Sequence, residues 1–180
     1  MAQDVMMPLS RPVVLVGLMG AGKTTIGRRL AQTLQVPFID ADHEIVEAAG
    51  CSISDIFALY GEAIFRDLEQ RVLVRLIAAS PCVLATGGGA FMNPLIREAI
   101  QTGATSVWLK ADLDTLVERT GKRDTRPLLQ HGDRGEILAR LMQERYPVYE
   151  QAHITIDSNA SAHEVVVSRI IKALKERPND

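Results

Sequence analysis

Residues 17 to 24 carry the clearest chemical signature in this sequence. They read Gly-Leu-Met-Gly-Ala-Gly-Lys-Thr, and this spacing of glycines, a lysine and a hydroxyl residue is typical of loops that bind nucleotide phosphates. The glycines let successive backbone N–H groups surround a phosphate, and the helix that follows adds positive potential. Lys23 can then reach the outer phosphates, and the Thr24 hydroxyl can bind Mg²⁺. The sequence therefore predicts a nucleoside triphosphate site, and we assign its loop contacts to Gly20, Ala21, Gly22, Lys23, Thr24 and Thr25.

Two carboxylates follow the second apolar run, in Phe38-Ile39-Asp40-Ala41-Asp42. Residues two apart in extended backbone point to the same side, so both carboxylates could face the phosphate loop. A kinase needs one carboxylate near Mg²⁺ and another that can accept the proton of the acceptor hydroxyl. Because residues 83–86 lack an acidic side chain, we expect Asp40 to serve the metal, through water. The alternative is structural, with Asp42 as a helix N-cap and Asp40 as a solvated strand end.

Three consecutive glycines, Gly87, Gly88 and Gly89, come directly after another apolar run. Such a segment can bring bare backbone N–H groups against a ligand. It could also be a flexible turn, although a simple turn needs only one or two glycines.

Two arginines are candidate ligand-binding residues with ordinary alternatives. Arg66 has Glu62 and Glu69 at helical neighbour spacing, so it could form only a helix-surface ion pair. Arg145 precedes Tyr-Pro and could be a charge at a helix C-terminus.

Strand-like runs alternate with helix-period stretches along the chain. We expect strands at Val13–Val16, Pro37–Ile39, Val83–Ala85, Thr105–Leu109 and His153–Ile156. Helices are expected near residues 24–34, 42–49, 54–79 with a break at Gly61, 93–102, 112–120, 134–144 and 162–175. This alternation predicts a three-layer α/β fold with a five-stranded parallel sheet and helices on both faces. Ligands of such folds collect at the carboxyl ends of the strands, where the phosphate loop, the aspartates and the glycines should meet.

The length of 180 residues suits one domain. We expect a disordered tail over residues 1–11 and a kinase domain over 12–176, with a substrate-binding helical segment at about 42–79. Residues 121–135 contain three glycines, a proline and four basic residues, which predict a mobile lid before a helix capped by Asp133.

The net charge of −2 gives no reason to expect nucleic acid or an anionic membrane as a partner. No apolar stretch is long enough to span a bilayer. Cys51 and Cys82 lack the spacing of a metal site or a disulfide framework, which favours a reduced, cytoplasmic compartment. The four histidines also lack metal-ligand spacing.

Six motifs occur in series between about Pro12 and about Asp157, and together they closely resemble shikimate kinases of bacteria and plants. They are Gly-Leu-Met-Gly-Ala-Gly-Lys-Thr-Thr-Ile-Gly, Phe-Ile-Asp-Ala-Asp, Gly-Glu-Ala-Ile-Phe-Arg-Asp-Leu-Glu, Thr-Gly-Gly-Gly, Thr-Arg-Pro-Leu-Leu and Arg-Tyr-Pro-Val-Tyr. The resemblance implies a nucleoside-monophosphate-kinase-like fold and transfer of the ATP γ-phosphoryl group to the 3-hydroxyl of shikimate. We expect one Mg²⁺ per subunit, ATP as co-substrate and a monomer.

The resemblance also implies roles for individual residues. Asp42 would hold the shikimate hydroxyls and act as general base, and Asp40 would be the carboxylate near Mg²⁺. Arg66, Arg145 and Gly88 would bind the shikimate carboxylate. The other implied contacts are Arg126 from the lid on the ATP phosphates, Arg119 near the adenine, and Phe57 and Phe65 as walls of the substrate pocket.

One segment departs from the family pattern. Some members have an arginine and a proline beside the adenine after the last strand, where this chain has Asp-Ser-Asn-Ala-Ser at residues 157–161. Other kinases of small molecules, such as gluconate or nucleoside monophosphate kinases, are the nearest alternative function. A GTP-dependent switch is a further alternative, but its Asn-Lys-x-Asp guanine signature is absent from the sequence.

Overall fold

A computed structural model describes residues 8–122, 132–159 and 162–177. Within these ranges, five strands form one sheet: β1 Val13–Val16, β2 Phe38–Asp40, β3 Val83–Ala85, β4 Thr105–Lys110 and β5 Ile154–Asp157. Their order in space is β2-β3-β1-β4-β5, and every neighbouring pair is parallel. The predicted α/β fold with a five-stranded parallel sheet is confirmed, and the strand bounds differ from the expected ones by at most one residue.

The central strand β1 explains why a parallel sheet forms. Its four residues, Val-Val-Leu-Val, are each at most 1% exposed, as expected for a strand covered on both faces. Val13 aligns with Val83 of β3 on one side and with Thr105 of β4 on the other. The carboxyl ends of β1, β3 and β4 therefore lie side by side, and the loops that follow them meet at one edge.

Seven α-helices and one short 3-10 helix, Ala90–Met92, complete the described part of the chain. The α-helices are α1 Lys23–Leu34, α2 Ala41–Ala49, α3 Ile53–Ile77, α4 Pro94–Gly103, α5 Leu113–Gly121, α6 Arg134–Tyr149 and α7 His163–Glu176. With right-handed crossovers, this strand order puts α1 on one face of the sheet and the other connecting helices on the opposite face. The terminal helix α7 packs beside α1. The three-layer arrangement predicted from the sequence is confirmed.

The expected break at Gly61 is also confirmed. Gly61 has φ 81° and ψ 172°, so α3 is two helical pieces joined at a residue whose backbone other amino acids rarely adopt. The predicted N-cap at Asp133 is present as well, because its side chain accepts a hydrogen bond from the backbone N–H of Glu136 at 2.9 Å.

The predicted end of α6 at residue 144 is wrong, because the helix continues through Pro147 to Tyr149. Proline removes one helical hydrogen bond and commonly ends a helix. Here Tyr146 and Tyr149 pack their rings against Trp108, at centroid distances of 4.8 and 5.8 Å. This aromatic packing stabilises the last turn and outweighs the missing bond.

Some expectations concern residues that the structure does not describe. Residues 1–7 of the expected tail and residues 123–131 of the expected lid, including Arg126, lie outside the described residues. Along the described ranges, no single helix is long and apolar enough to cross a membrane, although Ala41–Ala49 and Ile53–Ile77, bent by 84°, would together meet that length and composition.

Candidate active site

The phosphate loop joins β1 to α1, and the lysine of the motif is the first residue of that helix. Lys23 Nζ donates to the backbone oxygens of Gly17, at 2.6 Å, and Leu18, at 3.0 Å. The backbone N–H of Ala21 donates to Leu18 O at 3.1 Å, which closes the loop on itself. Hydrogen bonds within the loop therefore hold its shape, and they place the Lys23 ammonium group and the N-terminus of α1 where phosphates would bind.

A cavity of about 270 Å³ begins at the phosphate loop and extends towards the N-terminal end of α7. It is lined by Gly20, Ala21, Gly22, Lys23, Thr24, Thr25, Ile26, Arg119, Thr120, Lys122, Ser158, His163 and Val166. All six loop residues predicted to bind the nucleotide line this cavity, and so does Arg119. Ser158 and His163 had no predicted role, because they come from the segment that departs from the family pattern and from the helix after it.

Arg119 is held by backbone oxygens from two sides of the cavity. Its Nη1 donates to Gly20 O and Ala21 O at 3.3 and 3.4 Å. Its Nη2 donates to Ser158 O and Asn159 O at 2.6 and 2.8 Å. The plane of the guanidinium is therefore fixed where the segment after β5 meets the phosphate loop, and it offers a flat cationic surface for a nucleobase.

Asp40 faces the phosphate loop and also caps α2. Its Oδ2 lies 3.5 Å from Thr24 Oγ1, and its Oδ1 accepts from the backbone N–H of Asp42 at 3.0 Å. The cap is therefore Asp40, not Asp42 as the structural alternative supposed. The argument from extended backbone is wrong for Asp42, because α2 begins at Ala41. A hydroxyl and a carboxylate at this spacing suit Mg²⁺, which prefers oxygen ligands.

Within the described residues, no three His, Cys, Asp or Glu side chains form a cluster that could hold a metal ion.

The three glycines after β3 lie against the side chains expected to bind the acceptor. A Cβ added to Gly87 would lie 3.2 Å from Asp42 Oδ1, and a Cβ added to Gly88 would lie 3.0 Å from Arg145 Nη1. A Cβ on Gly89 would lie 2.7 Å from Arg66 Nη1, so a side chain there would require the end of the Arg66 side chain to shift. Glycine at residue 89 thus lets the guanidinium approach the segment closely, and Gly88 and Gly89 also lie in a turn, as the alternative supposed.

This acceptor pocket adjoins the phosphate loop. The Cβ position of Gly88 is 3.6 Å from the backbone oxygen of Gly17 and 3.8 Å from the backbone nitrogen of Met19. A group bound at the glycines therefore lies directly beside the loop that would hold the phosphates of a nucleotide.

Arg66 makes one buried and one exposed ion pair. Its Nη1 lies 2.9 Å from Oε1 of Glu69, whose side chain is 2% exposed, and its Nε lies 3.6 Å from the exposed Glu62. The Arg66 Cζ is 5.2 Å from the centroid of the Phe65 ring. Arg66 therefore makes the helix ion pairs that its alternative role supposed, and its buried partner Glu69 holds it beside the glycines.

Glu69 is a site residue that the sequence analysis treated only as an ion-pair partner. Burial raises the pKa of its carboxyl, Arg66 lowers that pKa, and the nearby Asp42 raises it. The signal was present in the sequence, because Glu69 occupies the same helical stripe as the buried Phe65, Val72 and Leu76. A carboxylate in an apolar stripe needs a specific partner.

Arg145 is 9% exposed and lies inside α6, four residues before its end. The alternative of a charge at the helix C-terminus is therefore wrong.

Phe57 and Phe65 stack with their centroids 4.6 Å apart, but they differ in burial, because Phe57 is 39% exposed and Phe65 is 5% exposed. Phe57 can present its ring to a ligand, whereas Phe65 supports it from the core.

The sheet order, the phosphate loop between β1 and α1, and the acceptor pocket beside that loop define a P-loop kinase of small molecules. Comparison with known proteins agrees, since residues 19–175 match the model of the shikimate kinase family. The shikimate kinase of Paramagnetospirillum magneticum is 52% identical over 166 residues, which cover 92% of this chain and 85% of that protein. That of Novosphingobium aromaticivorans is 52% identical over 172 residues, which cover 93% of this chain and 89% of that protein.

A solved structure shares the whole fold. The shikimate kinase of Acinetobacter baumannii, in complex with shikimate, superposes with a TM-score of 0.89 at 37% identity, covering 94% of this chain and 96% of that one. The chain belongs to the shikimate kinase family. It is an ATP-dependent kinase that phosphorylates shikimate in the biosynthesis of aromatic amino acids. The family match decides against the alternatives of a gluconate or nucleoside monophosphate kinase and of a GTP-dependent switch.

Proposed function

We propose that shikimate binds against Gly87–Gly89, with its carboxylate between Arg66 and Arg145 and its 3-hydroxyl beside Asp42. The observation that carries this assignment is that a carboxylate and two guanidinium groups approach one glycine segment, which itself adjoins the phosphate loop. Guanidinium groups bind carboxylates through paired, charge-assisted hydrogen bonds. A carboxylate is in turn the natural acceptor for a hydroxyl proton.

Asp42 orients the 3-hydroxyl and accepts its proton as the hydroxyl oxygen bonds to the γ-phosphorus, while the bond from that phosphorus to the β–γ bridging oxygen breaks and ADP leaves. Glu69 keeps Arg66 in place through its 2.9 Å contact, so that the guanidinium faces the glycines. Phe57 covers one side of the ring of the substrate. Each of these side chains serves to position the acceptor in line with the γ-phosphorus, which is the main task of a phosphoryl-transfer enzyme.

ATP occupies the cavity, with its phosphates in the loop Gly20–Thr25 and its adenine against Arg119. Lys23 moves from its present contacts on the loop to the outer phosphates and neutralises charge in the transition state. Arg126, outside the described residues, adds a second positive charge from the lid. One Mg²⁺, bound by the Thr24 hydroxyl and by Asp40 through water, would neutralise and align the β- and γ-phosphates.

The wider organisation is also a proposal. We propose a single kinase domain over residues 12–176, with the acceptor segment at 42–79 and a lid at 121–135, acting as a cytoplasmic monomer. Cys51 and Cys82 are free thiols, which agrees with a reducing compartment. Gel filtration with light scattering would test the monomer, since a mass near twice 19.7 kDa would contradict it.

The test of the acceptor site uses the wild-type enzyme and a coupled ADP-release assay. Shikimate is compared with its methyl ester, which keeps the ring and hydroxyls but lacks the carboxylate charge. We expect the ester to raise KM by about tenfold or more, the loss of one charged hydrogen bond, with KM for ATP unchanged. Equal KM values for acid and ester would mean that Arg66 and Arg145 do not bind a carboxylate. Gluconate, quinate and nucleoside monophosphates serve as further acceptors and should react far more slowly.

A further inference from the structure

Tyr149 lies directly behind the glycine segment. It is 0% exposed, and its hydroxyl donates a hydrogen bond to the backbone oxygen of Gly88. It follows Arg145 by one turn of α6, and the side chain of Arg145 is close enough to interact with the same hydroxyl. One buried hydroxyl thus contacts two of the groups assigned to the substrate carboxylate.

The ring of Tyr149 needs no hydroxyl to pack. It belongs to an aromatic cluster with Phe91, Trp108 and Tyr146, at centroid distances of 6.3, 5.8 and 6.1 Å. A phenylalanine would fill the same space without the cost of burying a polar group. Burial raises the pKa of the Tyr149 hydroxyl to about 12, so it remains a donor at any physiological pH.

A hydrogen bond at the Gly88 carbonyl has a consequence for anion binding. Peptides between glycines rotate easily, and a carbonyl oxygen that turned towards the pocket would repel a carboxylate. With its oxygen bonded to Tyr149, the Gly88–Gly89 peptide keeps that oxygen on the Tyr149 side, and its N–H points the opposite way.

We propose that Tyr149 is a positioning residue for carboxylate recognition, fixing the Gly88 carbonyl and the Arg145 guanidinium from behind. The inference rests on the proposed placement of the shikimate carboxylate. Tyr149 does not touch the substrate in this proposal and acts only through Gly88 and Arg145.

The same helix supplies a matched control. Tyr146 belongs to the same aromatic cluster, is half-buried, and donates its hydroxyl to the backbone oxygen of Ala111. Tyr146→Phe therefore removes a comparable tyrosine-to-carbonyl hydrogen bond without touching the glycine segment. Comparing the two variants separates the loss of a buried hydrogen bond from the loss of positioning.

The experiment measures steady-state kinetics of the wild type, Tyr149→Phe and Tyr146→Phe with shikimate and with its methyl ester, together with Tm. We expect Tyr149→Phe to raise KM for shikimate by about fivefold to tenfold, the effect of one hydrogen bond, with kcat and KM for ATP within about twofold. The preference for the acid over the ester should shrink by the same factor. Tyr146→Phe should lower Tm about as much as Tyr149→Phe does. It should change neither KM for shikimate nor the preference for the acid over the ester.

Four results would overturn the inference. Equal kinetics for the two variants would show that Tyr149 only packs the core. A Tyr149→Phe enzyme with a lower kcat and with higher KM values for both shikimate and ATP would show general disorder of the site. A wild type that does not distinguish acid from ester would overturn the proposed carboxylate site, and this inference with it. If the wild type distinguishes them and Tyr149→Phe does so equally well, only the positioning role fails.

Discussion

Replacing Arg66 by lysine is the sharpest test of how the pocket binds the acceptor. Arg66 uses Nη1 to reach the buried Glu69 at 2.9 Å, and both Nη atoms lie within 2.8 Å of the Cβ position of Gly89. A lysine keeps the positive charge and can still reach Glu69. It has one nitrogen, however, and cannot contact Glu69, the glycine segment and a carboxylate with separate donors.

The expected loss follows from that count of donors. One charge-assisted hydrogen bond to the carboxylate disappears, which is worth about 1.5 to 3 kcal/mol, or about 10- to 150-fold in affinity. The Arg66 side chain is 33% exposed, so solvent screening favours the lower end of that range. We expect KM for shikimate to rise by about 10- to 30-fold, with KM for ATP unchanged.

Arg71→Lys is the control for this substitution. Arg71 lies on the same helix and pairs with Asp67 at 2.7 Å, with both side chains mostly exposed. Separate titrations of shikimate and ATP by calorimetry would be run on both variants. If Arg66→Lys behaves like Arg71→Lys, or weakens both ligands equally, then Arg66 is an ordinary ion-pair residue and the carboxylate site is wrongly placed.

Three further predictions concern turnover and stability. Lys23→Ala should reduce kcat by about 10²-fold or more with an unchanged circular dichroism spectrum, and turnover within tenfold of the wild type would contradict its role on the phosphates. Asp42→Asn should lower kcat by about 10²-fold with a smaller rise in KM for shikimate, whereas a preserved kcat would make Asp42 a binding residue only. Burial, followed by the charges of Arg177 and Arg11, lowers the pKa of His153, whose ring accepts the backbone N–H at the start of β4. The folded protein thus favours the neutral ring, so the stabilising contribution of His153 to the free energy of unfolding is fully present above pH 6.5 and is lost as the pH falls below that value. His153→Gln should therefore flatten the dependence of Tm on pH below pH 6.5.

The parts of the site that depend on local sequence were predictable. The phosphate loop, the break at Gly61 and the cap at Asp133 each require particular residue types at fixed spacing, and all three are present. The glycines after β3 could be placed near the phosphate loop because parallel strands bring their carboxyl ends to one edge.

The parts that depend on packing were not predictable in the same way. Extension of α6 through Pro147 requires an aromatic cluster drawn from three elements, which no local rule contains. The role of Tyr149 arises because its hydroxyl is buried beside the backbone oxygen of Gly88, 61 residues away in the chain. Asp40 rather than Asp42 is the cap because α2 begins at Ala41, and sequence patterns locate the start of a helix only to within a residue or two.

The two guanidinium groups of the acceptor pocket come from helices that enter the fold far apart along the chain. Arg66 belongs to α3, between β2 and β3, and Arg145 belongs to α6, between β4 and β5. A carboxylate held by both would act as a non-covalent cross-link between the two edges of the sheet. Local opening of either helix would release the ligand, so saturating shikimate should slow amide hydrogen exchange in both helices to a common rate and make them one cooperative unit. The substrate would then stabilise the enzyme as well as react on it.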